Sequence, residues 1–159
     1  ISSDVPHLNE IAPVEPYTWE ILRKGSDCAI LAVGSMVLPA LEAADVLGAE
    51  GVKCTVVNCR FLKPYDRSVF NEVMRNHPTV LTIEEGQVVN GFGAFMAKGL
   101  NELNLKTAQQ MSAMGLPDSF IEHGARKDLL ADIGLDVEGM VTRIRTLVGV
   151  KSESLRETA

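Results

Sequence analysis

Residues 28–59, "CAILAVGSMVLPALEAADVLGAEGVKCTVVNC", decide the fold class. Cys28 to Val33 is an unbroken apolar run of strand length between Asp27 and Gly34, the pattern of a strand buried on both faces. Gly34-Ser35 then turns into a helical stretch where Leu38, Leu41, Ala44 and Val46/Leu47 recur near the helical period. Pro39 sits in the tolerated first turn and Gly51 stops the helix. "CTVVNC" (54–59) is the next strand. Two apolar strands joined by an amphipathic helix form a parallel pair by a right-handed crossover, with helices needed on both faces.

The same logic repeats outward. "RFLKPYD" (60–66) is a loop whose Asp66 caps "RSVFNEVMRNH" (67–77), with Val69, Phe70, Val73 and Met74 on one side. "TVLTIEE" (79–85) is the following strand. A helix is predicted from Gly91 to Leu103 with Phe92, Phe95, Met96 and Leu100 inward, then a strand in "TAQQMSAMGL" (107–116). Two closing helices follow, "ARKDLLADI" ended by Gly134 and "DVEGMVTRIRTLV" opened by Asp136. Upstream, Thr18 to Leu22 alternates as an edge strand does and turns at Gly25-Ser26-Asp27. The expected architecture is α/β: a three-layer α/β/α sandwich on a mostly parallel sheet of about five strands, spanning residues 17–150. Residues 1–16, with Pro6, Pro13 and Pro16, read as a linker or chain edge, and residues 151–159 as a frayed polar tail.

Composition narrows the partners. With 159 residues, 46% hydrophobic and 5% aromatic, the chain suits one domain packed by aliphatic side chains. A formal charge of -6 without a dense basic run opposes binding to nucleic acid or anionic lipid. The longest apolar run is far short of the roughly 20 residues of a membrane span. No basic segment leads into an apolar one as in an export signal, so a cytoplasmic protein is expected. Cys28, Cys54 and Cys59 lie in hydrophobic runs and read as reduced core thiols. Cys54 and Cys59 are five positions apart on one strand, so alternation sends them to opposite faces and they cannot share a metal.

The glycine loop of "LTIEEGQVVNGFGAFMAKGL" (81–100) invites a phosphate reading, and the residues oppose it. Gly91-Phe92-Gly93 begins a dinucleotide fingerprint, but Met96 stands where the third glycine belongs. Gly86 and Gly91 have P-loop spacing, yet Phe92 and Gly93 replace its lysine and hydroxyl. Glu84 and Glu85 would repel a phosphate placed there, against a helix-terminus attraction of about 0.3 to 1 kcal/mol. The glycines are therefore expected to supply positive φ and close helix-to-sheet approach, and the two acids to cap a helix or face another surface.

The remaining polar candidates carry no organised chemistry. His123 precedes Gly124 at a helix start without an identifiable partner for acid–base work. His77 ends a helix beside Pro78, where an imidazolium suits the dipole, and His7 lies in the linker; both read as structural. Arg60 and Lys63 follow the third strand as candidates for an anion or a partner-facing charge, and Ser35 lacks the G-x-S-x-G context of a nucleophile. A small anion in the strand-end crevice at Gly34, Arg60 and Gly86 would make the chain a regulatory binding module.

Three stretches together carry a family resemblance: residues 28–66, "TVLTIEEGQVVNGFGAFM" (79–96) and "MGLPDSFIEHGARKDLLADIGLDVEGM" (114–140). Their order resembles the C-terminal domain of the 1-deoxy-D-xylulose-5-phosphate synthases, of the transketolase superfamily. The first two are shared in outline with transketolases and 2-oxo acid dehydrogenase E1 β subunits, which stand as alternatives. The third resembles the synthases more closely. The resemblance implies an enzyme that condenses pyruvate with glyceraldehyde 3-phosphate, losing CO2, for isoprenoid, thiamine and pyridoxal precursors. It implies thiamine diphosphate and Mg2+ held by an N-terminal domain, and an activating glutamate in a middle domain. It also implies that the third domain, which this chain matches, helps to build a homodimer. No catalytic, cofactor or metal residue is carried over, and the chain alone is expected to be inactive. Glu84, Glu85, Gly86, Gly91, Gly93, Arg60 and His123 become candidate contacts with the N-terminal and middle domains or the other subunit. A cytoplasmic enzyme is implied, or a plastid one in a eukaryote.

Overall fold

Every residue of the strand Cys28–Ala32 is buried, which requires cover on both faces of the sheet. The computed structural model describes residues 13–103 and 110–149. Within them the chain runs β1 (Glu20–Arg23), β2 (Cys28–Ala32), a 3-10 turn (Gly34–Met36), α1 (Val37–Ala49), β3 (Cys54–Asn58) and α2 (Arg67–Asn76). It continues through β4 (Thr79–Gln87), α3 (Phe92–Glu102), β5 (Gln110–Leu116), α4 (Arg126–Asp132) and α5 (Val137–Val148). The sheet order is β1-β3-β2-β4-β5, with β1 antiparallel to β3 and the other neighbours parallel.

The direction of winding sets the layers. The chain steps from β2 to β3 through α1, then crosses back over β2 to β4 and on to β5 through α2 and α3. Right-handed crossovers taken in opposite directions place their helices on opposite faces. One core accordingly joins α1 and α5 to the sheet through Ile30, Ala40, Leu47, Leu81, Met140 and Ile144. The other joins α2 and α3 through Leu31, Phe70, Met74, Val80 and Met96. The three-layer α/β/α sandwich with five mostly parallel strands is the architecture expected from the sequence.

Several details differ from the sequence reading. Ala44 and Leu47 of the periodic set are buried and Leu41 packs against the same core, but Leu38 and Val46 are exposed, and Ala40 and Ala43 complete the buried face of α1. Leu38 and Val46 share the exposed side with Glu42 and Asp45, so the apolar pattern alone blurs the inward face. Small alanines allow the close approach that decides it. Phe95 is likewise exposed on α3 while Phe92 and Met96 are buried. Cys54 and Cys59 do lie in different cores, as alternation requires. The thiol beside Cys54 is Cys28, its register partner on the neighbouring parallel strand. The linker reading of residues 1–12, His7 within it, strand positions 107–109 and the tail 151–159 lie outside the described residues.

Local signals account for the helix ends. Asp66 caps α2, accepting from the backbone N–H groups of Ser68 and Val69 at 3.0 Å each. Its other oxygen accepts from the Trp19 N–H at 3.0 Å, tying the chain entry to the helix start. Asp136 caps α5, accepting from Gly139 N–H at 2.8 Å. Gly51 and Gly134 take φ of +87° and +67° just beyond α1 and α4. Trp19 Nε1 donates to Phe61 O at 2.7 Å while its ring meets Tyr65, Phe70 and Phe92. His77 is buried at the opposite rim, with Nδ1 3.0 Å from Val73 O and Nε2 2.8 Å from Thr55 Oγ1 and 3.1 Å from Gly25 O. Its role is structural, pinning α2, β3 and the β1–β2 turn.

Asp66→Ala should destabilise the domain by about 1–2 kcal/mol, since a cap and a cross-chain bond are lost together. Asp66→Asn, which keeps one capping oxygen but places an NH2 opposite Trp19 N–H, should fall between. Urea midpoints of the three proteins check the order; equal midpoints contradict it.

Candidate functional site

In open parallel sheets, ligands gather beyond the carboxyl ends of the strands where winding reverses. Here that point lies between β2 and β4, so Gly34-Ser35 faces Glu84-Glu85 across it. Gly34 takes φ of +58°, which starts the turn into α1 and presents Ser35 to the neighbouring strand. Ser35 Oγ donates to Glu85 Oε2 at 2.6 Å. Arg126, the first residue of α4, donates to both Glu85 oxygens, from Nε at 2.8 Å and from its NH2 group. The reversal point is thus filled by a bidentate ion pair and a hydroxyl from the chain itself.

These donors change the acid. The Glu85 carboxyl, ordinarily near 4.5, is pulled down to about 2, first by the hydrogen bond from Arg126 and further by that from Ser35. Arg126 is raised in turn by the same bond. Both groups are partly solvated, with side-chain accessibilities of 30% for Glu85 and 60% for Arg126, so water screens much of this attraction.

Glu84 points the other way, as neighbours on a strand must. Its Oε1 accepts from Gly93 N–H at 3.1 Å in the first turn of α3. The helix end where a phosphate would sit is therefore occupied by a carboxylate from the preceding strand, which favours the N-terminal dipole in the same way. Capping, one of the two duties expected for the acids, is what Glu84 performs.

The glycines divide differently from expectation. Gly86, Gly91 and Gly93 do not adopt positive φ; Asn90 does, at φ of 60°. An asparagine side chain tolerates that region, so the left-handed step of this loop needs no glycine. Close approach does hold: a Cβ on Gly93 would lie 2.6 Å from Ala113 Cβ and 2.6 Å from Thr82 Oγ1. One on Gly91 would meet Gln87 O and the Glu84 carboxylate. Gly86 O stands against Gly115 in the same way, bringing β4 and β5 together.

Arg60 is engaged within the domain. Its Nε donates to Thr18 O at 3.3 Å and its NH2 group to Thr18 Oγ1 at 2.9 Å, while Glu20 lies 3.6 Å away. It fastens the segment entering β1 rather than opening towards the crevice with Gly34 and Gly86. His123 is exposed in the β5–α4 connection, and Lys63 is exposed after β3. A groove of about 770 Å³ lies elsewhere, between β5 and the α4–α5 corner, lined by Met114, Pro117, Gly134, Gly139 and Arg143 among others. Among the described residues, no group of three or more His, Cys, Asp and Glu is placed to hold a metal ion. No helix of the described residues is long and apolar enough to cross a membrane.

Sequence reasoning misses Arg126 because its partner is 41 residues away, and nothing in "GARKDL" marks which base reaches Glu85. The residues gathered here do not fit a thiamine diphosphate–Mg2+ group, since the helix terminus carries a carboxylate and the arginines have internal partners.

Glu85→Gln should cost about 1 kcal/mol near neutral pH, after discounting the ion pair for solvent. A folded carboxyl at about 2 against 4.5 unfolded makes the contribution complete above about pH 4.5 and lost as pH falls toward 2. Urea melts of wild type and variant should therefore converge through that window; a gap independent of pH contradicts the assignment. Gly93→Ala should cost about 1–3 kcal/mol by overpacking at Ala113 and Thr82, read from the same melts.

Comparison with known proteins places the fold. The transketolase C-terminal domain family matches residues 17–140. The 1-deoxy-D-xylulose-5-phosphate synthase of Geobacillus thermodenitrificans is 40% identical over 149 residues, 94% of this chain and 24% of that protein. Synthase 2 of Geobacter sulfurreducens is 42% identical over 144 residues, 90% of this chain and 23% of that protein. The chain thus spans about a quarter of the length of the curated relatives it matches. Among solved structures, a split-gene transketolase described as an inactive β4 tetramer has a TM-score of 0.79 at 33% identity, covering 89% of this chain and 45% of that one. A Pichia stipitis transketolase mutant has a TM-score of 0.63 at 20% identity, covering 86% of this chain and 19% of that one, a likeness of fold alone. These matches bear out the resemblance drawn from the three stretches between residues 28 and 140, and the chain belongs to the transketolase C-terminal domain family.

Proposed function

We propose that this chain is the C-terminal domain of a 1-deoxy-D-xylulose-5-phosphate synthase, serving as a structural and dimer-building module of that enzyme. The carrying observation is identity of about 40% to such synthases over nine-tenths of the chain. In this reading the preceding domains hold thiamine diphosphate and Mg2+. They condense pyruvate with glyceraldehyde 3-phosphate, with loss of CO2, in a cytoplasmic or plastid homodimer. The site geometry supports the division of labour: Ser35, Glu84, Glu85, Arg60 and Arg126 are spent on one another or on the backbone. Glu85, His123 and the glycine loop lie on the rim that would face the rest of the enzyme.

The test assays the full-length protein containing this chain beside the 159-residue chain alone. Full-length protein with thiamine diphosphate and Mg2+ should release CO2 from pyruvate and form 1-deoxy-D-xylulose 5-phosphate. The chain alone should neither turn over nor give saturable heat with thiamine diphosphate in calorimetry. Transfer of a ketol unit between sugar phosphates without use of pyruvate would favour a transketolase instead, and turnover by the chain alone would overturn the proposal.

A further inference from the structure

Isolated apolar side chains on a protein surface need no explanation, but their distribution here does. Each of the five strands has at least one exposed large apolar residue beyond its end at the same rim of the sheet. In sheet order these are Tyr17 before β1 (59% exposed), Leu62 after β3 (40%), Leu38 after β2 (62%), Val89 after β4 (53%) and Phe120 after β5 (97%). Strands spaced about 4.8 Å apart make the rim along which they are distributed about 19 Å across. Several polar side chains of the same rim are already engaged: Ser35 and Arg126 with Glu85, Glu84 with α3, and Arg60 with Thr18. What the rim offers a neighbour is apolar surface with exposed Lys63, Asp118 and Glu122 around it, the anatomy of an interface core and its rim.

Phe120 is the most exposed of them, and it is not carried on a loose arm. The connection that bears it leaves β5 at Leu116, whose carbonyl accepts from Val88 N–H at 3.0 Å, and re-enters at Arg126, held by Glu85. A ring this exposed has a large apolar area to bury when a neighbour covers it.

The direction of β1 identifies the occupant. β1 is antiparallel to β3, and its first residue, Glu20, pairs with Asn58, the last residue of β3. The polypeptide preceding β1 therefore arrives at this rim, with the Tyr17 ring 5.7 Å from that of Phe61. Relatives are about four times as long as this chain, and a tethered neighbour meets the rim at an effective concentration of roughly millimolar order. We propose that the apolar row from Tyr17 to Phe120 is the docking surface for the preceding part of the same polypeptide, with Phe120 as its anchor. This rests on the reading of the chain as one domain of a longer enzyme.

Thiol labelling in the full-length enzyme, its other reactive cysteines replaced by serine, tests this. The cysteines of this chain are buried and do not interfere. Phe120→Cys, Val89→Cys and Leu38→Cys should label at least about tenfold more slowly than Val46→Cys, an exposed control in the second half of α1. Phe120→Asp should restore fast labelling at Val89→Cys. Equal labelling at all four positions overturns the proposal, as does masking that disappears on dilution, which assigns the row to a second copy. Product formation by the wild-type enzyme is scored separately, so a wrong reaction and a wrong surface give different results.

Discussion

The structure depends on the complete burial of β2. A five-residue strand with no polar side chain and no exposed position fixes where everything else goes, because its two faces demand two helical layers. Once α1 and α5 take one face and α2 and α3 the other, the sheet meets its surroundings through its two outer strands and its two rims. The amino rim is pinned by His77 and by Lys53 O, which accepts from Ser26 and Asp27 N–H. The carboxyl rim is where the chain carries its paired acids, its glycine loop and its exposed aromatic.

At that rim the electrostatics are settled internally. A helix N-terminus and a pair of arginines are elements from which anion sites are built, and each here meets a carboxylate or carbonyl of the same chain. An external anion would have to displace Glu84 from α3 or Glu85 from Arg126, and both are tethered by covalent connection to their partners. Helix-terminus attraction of about 0.3 to 1 kcal/mol does not overcome a neighbouring negative charge that already satisfies the same N–H.

The legible part of this architecture is the part written in short-range pattern. Apolar runs mark the strands, caps such as Asp66 and Asp136 mark helix starts, and glycines after α1 and α4 mark helix ends. Alternation alone separates Cys54 from Cys59, yet it cannot pair Cys54 with Cys28, since register between crossover-linked strands is a tertiary property. The inward face of α1 escapes periodicity for a related reason: Leu38 and Val46 share the exposed side with Glu42 and Asp45, while alanines, which allow closer packing than leucine, face the sheet. At the site, the two directions of Glu84 and Glu85 follow from strand geometry. The identity of Arg126 as partner does not, because it rests on the return of α4 to the end of β4.

The fold is shared with a transketolase at 20% identity, so the same frame tolerates wide change of sequence. The stretch Gly115 to Gly124 begins in the last two residues of β5 and continues into the connection to α4. Its side chains from Pro117 to Gly124 lie outside both cores, and Phe120 has almost no contact with the domain that carries it. Packing within this domain does not require a phenylalanine at such a position. The docking surface proposed for this rim gives such a residue a role.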